Sequence, residues 1–413
     1  MSFDFRRSPA IVLAPPMVLV TFFFLSGAAG GPAYYGLSQL AQAASAVAVI
    51  APICAGLAAW EGARLRRGGV ARLAPARCEG RLLLRALVPT SVAAAVALTF
   101  GFGVMLLSGP SLRASDSVVV LMAAGVLAGH AVLAYAAGRR LPALMAVPGA
   151  VVLSWLWIVY PIAVSPLWVR HMTGYLSTCC DASDRLAPAA ALAPLLPSAG
   201  AILASAILLS SVAPAIRRLA AALALAAGFA VAALVASGLG VAPTVARGTA
   251  DLVCRDGTPR VCLWTEHRGV LPRVQATASA IGSRLRAHGL TTPPVVTEAR
   301  GRHSGAWRVG VTPTASELDI ERILLQALVP SLPACARLHA YPGYAAFGAV
   351  ALWLAELAAH DVPPYIEGAT PEDRREVAAV GKLAPPAQRA WYSENLAALQ
   401  TCERPPQLLT VKL

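Results

Sequence analysis

Residues 58–87 read AAWEGARLRRGGVARLAPARCEGRLLLRAL, seven arginines set between two almost purely apolar runs. Upstream, residues 38–60 form an apolar window long enough to cross the roughly 30 Å of hydrocarbon in a bilayer, and residues 86–108 form another downstream. A basic connection between two spanning windows reads as cytoplasmic, because arginine-rich loops stay on that side of a membrane.

Outward from this segment, further windows of the same kind lie near 10–29, 116–137, 142–164, 190–212 and 219–241. A chain that is 57% hydrophobic and only 13% charged, with a mean hydropathy of +0.63, is therefore a polytopic α-helical membrane protein with about seven transmembrane helices. The first window has a second reading as a signal peptide: Arg6 and Arg7 precede it and LSGAAGGP follows it. Its apolar run is long for such a peptide, and the next window returns through the membrane at once, so it is read as a span.

Arginine counts set the expected orientation. With the N-terminus inside, the cytoplasmic pieces hold Arg6, Arg7, the seven from Arg64 to Arg85, Arg139, Arg140, Arg217 and Arg218, thirteen in all, against Arg113, Arg170 and Arg185 on the other side. That is N-in/C-out. The net charge of +13 is carried almost wholly by arginine, since lysine occurs only at Lys382 and Lys412, as high-GC coding produces. No stretch interleaves basic residues with aromatics, so no nucleic-acid partner is expected.

From about residue 242 the sequence becomes mixed polar and apolar, and a disulfide-stapled α+β extracytoplasmic domain is expected over 242–413, after a seventh helix in 213–241 and a six-helix unit in 1–212. DLVCRDGTPRVCLWTEH predicts two strands about an Asp-Gly turn, LPRVQATASAIGSRLRAHGL a helix closed by Gly289, and AWRVGVTP another strand. Ser316 and Asp319 have capping-box spacing, GYAAFGAVALWLAELAAH is a helix with an apolar face, and one or two helices follow Pro371.

Cys254, Cys262, Cys335 and Cys402 fall in the domain expected outside, where oxidation is the rule. They allow three pairings; Cys254 with Cys262 across the hairpin and Cys335 with Cys402 are favoured. Cys179 and Cys180 can bond to each other or to a second chain, whereas Cys54 in a span and Cys78 in the basic loop are expected as free thiols. No C-x-x-C pair supports a zinc site, and no metal is expected.

His130, in LAGHAVLAY, is the one clear ionisable residue inside a span, read first as a hydrogen-bonded interhelical histidine and second as a proton relay. Glu266 and His267 in WTEHRG are read first as a solvated strand end and second as a metal or ligand contact. His303, His339 and His360 lack ligand spacing, and Tyr341 and Tyr344 flank a Pro-Gly turn that suits a packed loop or a binding rim. There is no G-x-x-x-x-G-K-[ST] loop and no G-x-S-x-G elbow, so no catalytic residue is assigned and the chain itself is not expected to be an enzyme.

The segment WEGARLRRGG, with six spans around it and a larger loop between the fifth and sixth, resembles the ABC-2 type export permeases over roughly residues 10–212. That resemblance implies docking of a separate nucleotide-binding ATPase through Glu61, Arg64, Arg66, Arg67 and Arg72, with Gly62, Gly68 and Gly69 shaping the turn. It further implies ATP used only by the partner, assembly as a homodimer or with a second permease chain, and contact with membrane lipid. The bland alternative is that these arginines serve only as topology anchors. AVALWLAELAAHDV resembles the third-ligand helix of gluzincin metallopeptidases, with Glu356 at the ligand place. The helix in the order of the zinc-binding one reads IERILLQALVPSL without a histidine, and Leu357 replaces the expected glycine, so a degenerate scaffold is implied. The expectation is the membrane subunit of an ATP-driven export system in a bacterial plasma membrane, moving a lipophilic or peptide-like substrate; the alternatives are a membrane-anchored ligand sensor and a membrane metallopeptidase.

Overall fold

The computed structural model describes residues 8–27, 34–69, 79–107, 109–176, 179–210, 213–299, 305–330, 333–337 and 341–410. The chain divides into two compact units, Met1–Val245 and Ala246–Leu413.

The first unit is built from helices α1 (Pro9–Gly27), α2 (Gly36–Ala44), α3 (Val47–Arg67), α4 (Glu79–Leu106), α5 (Ser117–Arg140), α6 (Ala143–Val159), α7 (Pro188–Leu192), α8 (Leu195–Leu209) and α9 (Pro214–Ala236). Seven segments among the described residues are long and apolar enough to cross a membrane, α2 with α3 and α7 with α8 each counting as one. Each overlaps an expected window. The ends differ most around the basic segment, where α3 runs on to Arg67 and α4 begins at Glu79. Hydropathy locates the apolar run, but leucine, alanine and arginine are all good helix formers, so the helix continues through the charges.

The second span is broken between α2 and α3. The Ser45 hydroxyl donates to the Gln42 carbonyl at 2.6 Å, a local bond that competes with the helical ladder at the break. The segment that α2 and α3 make together is the most enclosed of the seven, with 83% of its apolar window buried against 17% for those of α6 and α9. It therefore sits in the middle, packed on α1, α4, α5 and α6. Small residues permit this. A Cβ at Gly62 would overlap the Tyr135 carbonyl and one at Gly138 would overlap the Ala59 carbonyl, so the α3 and α5 backbones touch. Gly200 of α8 and Gly228 of α9 form a second such crossing, each blocking a Cβ on the other.

In the second unit, strands β1 (Leu252–Arg255), β2 (Arg260–Trp264), β3 (Val295–Thr297) and β4 (Trp307–Arg308) form one sheet in that order. The hairpin β1–β2 is antiparallel with Cys254 opposite Cys262; β2–β3 and β3–β4 are parallel. The crossover from β2 to β3 is α10 (Leu271–Ala287), closed by Gly289 at a φ of +74°. Its residues Val274, Ala278, Ile281 and Leu285 recur at helical spacing and bury against Val261, Leu263, Val296 and Trp307.

Helices α11 (Glu317–Gln326), α12 (Phe347–Ala358), α13 (Pro363–Gly368), α14 (Pro371–Val380) and α15 (Pro385–Leu399) complete this α+β unit. The capping box of α11 is present: the Asp319 amide donates to the Ser316 hydroxyl at 3.1 Å and the Ser316 amide to the Asp319 carboxylate at 3.0 Å. Trp353 and Trp391 meet edge to face at 5.9 Å where α12 and α15 pack, and the Trp307 indole donates to the Leu324 carbonyl at 2.6 Å. Cys335, before α12, is bonded to Cys402, after α15, and Cys254 is bonded to Cys262.

Candidate functional site: a cavity among the apolar helices and its basic end

The arginines that break the apolar pattern gather at one end of the first unit. Arg66 and Arg67 at the end of α3, Glu79 at the start of α4, Arg139 and Arg140 at the end of α5, and Ser210 after α8 line one cleft of about 570 Å³. Arg139 pairs with Glu79 at 2.6 Å, Arg140 donates to the Leu208 carbonyl, and Arg217 donates to the Ser210 carbonyl at 3.1 Å. Arg66 and Arg67 are exposed and meet no carboxylate among the described residues; Arg67 lies 5.0 Å from the centre of the Trp60 ring.

Glu61 is oriented differently from its neighbours. Its carboxylate is 1% exposed, pairs with Arg64 at 2.7 Å and accepts a hydrogen bond from the Ser8 hydroxyl at 3.3 Å. Being next to Gly62, at the contact with α5, it is turned into the bundle, so of the expected docking residues the structure presents Arg66, Arg67 and, in part, Arg64 at the surface. Arg72 and Cys78 lie outside the described residues.

Along α5, directly beyond the cleft, lies a cavity of about 470 Å³ whose walls come from α3, α5, α6, α8 and α9. Helices α5 and α8 run side by side in one direction, since Gly129 packs on Ser198 and Arg140 reaches Leu208. Alanines, leucines, Gly149, Trp157 and Phe229 make most of the wall. Its polar lining is His130, Ser154 and Ser198; the His130 ring Nδ1 and the Ser154 hydroxyl are 2.8 Å apart, while Ser198 bonds back to the Pro194 carbonyl. His130 is thus an interhelical hydrogen-bonding histidine that also lines a cavity. Ser154 was missed in the sequence, although a lone serine in VVLSWLW is the available signal. Cys54 is buried and free, and Cys179 is bonded to its neighbour Cys180.

In the second unit, the expectation of a solvated strand end at Glu266 and His267 is overturned. Arg247 binds both Glu266 oxygens at 3.0 Å and Asp251 at 3.1 Å, and its guanidinium lies 4.4 Å from the centre of the Trp264 ring. The His267 Nδ1 meets Glu298 at 2.7 Å, and Glu298 also accepts from the Trp264 amide at 2.7 Å. The cause is the short turn Thr265–His267, which places both side chains against partners distant in sequence.

Glu356 is exposed on α12. Glu321, on α11, is buried, with one oxygen taking the His360 amide at 2.6 Å and the other 3.4 Å from the Tyr365 hydroxyl. Glu321, Glu317, Arg273, Arg284 and His360 line a groove of about 520 Å³ between α10 and α11. Among the described residues no three His, Cys, Asp or Glu side chains stand together as a metal site. His303 and His339 lie outside the described residues. The Tyr341 hydroxyl donates to the Leu399 carbonyl, and Tyr344 stacks on Phe347 at 5.9 Å.

Residues 261–402 match the model of a family described as a domain of unknown function, DUF7224. The matched stretch starts in β2 and ends at Cys402, so it covers most of the second unit and none of the spanning helices. No curated protein and no solved structure matches the chain.

Proposed function

We propose that this chain is the membrane subunit of an export system driven by a separate ATPase, with the cavity beside His130 as its cargo site. The observation that carries the reading is that cavity: it has the size of a small-molecule site, is mostly apolar, and adjoins the end where the arginines gather. The arginine end is cytoplasmic, because positive ends of spans remain there, and the disulfide-bonded second unit is extracytoplasmic, where such bonds persist. The membrane is the bacterial plasma membrane. Arg64, Arg66 and Arg67 dock the ATPase, and closure of that partner on ATP moves the helices that wall the cavity. Two protomers, or this chain with a second permease chain, complete the transporter.

Co-purification tests the reading. The full chain should bring down an ATPase subunit, and changing Arg64, Arg66 and Arg67 to glutamate should release it; retention of the ATPase by that variant would overturn docking at this end. A second reading, a membrane-anchored ligand sensor, is favoured by the groove between α10 and α11, and absence of any ATPase would leave it in front.

A further inference from the structure

The cavity and the arginine cleft are lined by neighbouring residues at the end of one helix and have opposite chemistry. Ala137 of α5 and Leu141, just past its end, line the cavity, while Arg139 and Arg140, the last two residues of α5, line the cleft. Four arginines face one carboxylate in that cleft, and Arg66 and Arg67 have no acidic partner among the described residues. On the other side the wall is apolar as far as the hydrogen-bonded His130 and Ser154.

The length of the apolar half identifies what fits it. From Arg140, the last residue of α5, back to His130 is ten residues of helix, about 15 Å at 1.5 Å per residue. One leaflet is half of the roughly 30 Å hydrocarbon layer, about 15 Å. His130 also falls near the middle of its span, Ala114–Arg140, so the cavity runs from the arginine end to about mid-membrane. A free phosphate or nucleotide would satisfy the arginines and leave the apolar half empty. A zwitterionic lipid would fill the apolar half but add no net negative charge to a cleft that holds four arginines and one carboxylate. Basic pockets between spanning helices are a recurrent way of holding anionic lipid headgroups.

We propose that, in the chain free of its ATPase, cavity and cleft together hold one anionic lipid of the leaflet on the arginine side, its phosphate in the cleft at Arg66, Arg67 and Arg140 and an acyl chain in the cavity, ending against His130 and Ser154. This names the substrate class of the export site and rests on that reading for the lipid's role as cargo, though not for its binding.

The test uses the purified full-length chain without any ATPase, equilibrated with vesicles of phosphatidylglycerol or of phosphatidylcholine with the same acyl chains, and counts retained lipid by native mass spectrometry. One phosphatidylglycerol and no phosphatidylcholine should be retained. R66Q with R67Q should weaken retention about thirtyfold, the fold-change that two surface arginines supply. Gly149→Phe should abolish it, because a Cβ there meets nothing within 4 Å and the ring enters the cavity. Ala150→Leu, a smaller filling of the same wall, should weaken it in a chain that melts like the parent. Equal retention of the two lipids, retention unchanged in both cavity variants, or displacement by glycerol phosphate as effective as by phosphatidylglycerol would each overturn the proposal. If the lipid is retained as expected and no ATPase co-purifies, the export reading fails and the lipid site stands.

Discussion

Replacing Cys335 and Cys402 by serine should weaken the second unit far more than replacing Cys254 and Cys262. The first pair closes a loop spanning 67 residues that contains α12 to α15; the second closes one spanning 8. In the loop-closure account, the lost denatured-state restriction is about 4.4 kcal/mol for the long loop and about 2.5 kcal/mol for the short one, so loop length alone separates them by about 1.9 kcal/mol. Hydrogen exchange on the full chain reads this directly, through the slowest amides of α12 and α15, which open with the unit. Those amides should exchange about three decades faster in the Cys335/Cys402 variant and somewhat under two decades faster in the Cys254/Cys262 variant, at 1.36 kcal/mol per decade. Equal accelerations, or a larger one for the hairpin pair, would refute loop length as the source of the stabilisation.

Gly138→Leu should destabilise the first unit by about 3 kcal/mol, since its added atoms meet the Ala59 backbone, which has no rotamer to yield; the control is Gly103→Leu, where a Cβ meets nothing within 4 Å, and equal thermal melting of the two in detergent would sink the close-crossing account. His171 bonds the Gly240 carbonyl at 2.8 Å, and burial lowers its pKa below the ordinary 6.5. The unfolded chain therefore binds the proton first, so the contribution is full above about pH 6.5 and falls as pH drops below it, until the folded state also protonates. His171→Gln should flatten that part of the stability profile between pH 7 and 5, and an unchanged slope would assign it to other groups.

The seven long apolar helices could be read from the sequence because a run of some twenty apolar residues, the length a bilayer would require, has few other uses. The hairpin, α10 and α11 were legible for local reasons: an Asp-Gly turn, a glycine closing a helix, and Ser316 with Asp319 in capping order. Glu61 was read with the arginines after it, because a charge pattern gives polarity and not direction; its inward turn depends on Ser8 and on the contact at Gly62, neither visible along the chain. Arg247 with Glu266 and His267 with Glu298 join residues 19 and 31 positions apart, so WTEHRG alone could not reveal its partners. The cavity has no linear signature, being walled by five helices, and His130, Ser154 and Ser198 mark it only as polar residues in apolar runs.

The continuity of α3 has a mechanical consequence. From Ala55, beyond Pro52, the helix runs without a break or a proline to Arg67, so the exposed arginines and the cavity wall at Ala55 belong to one rod, and from Arg66 to Ala55 is about 17 Å along it. Gly62 and Gly138 bring the backbones of α3 and α5 into contact between those two points. A load applied to the basic tip would therefore reach the wall at Ala55 through a single helix, past a contact that leaves its backbone little room to give.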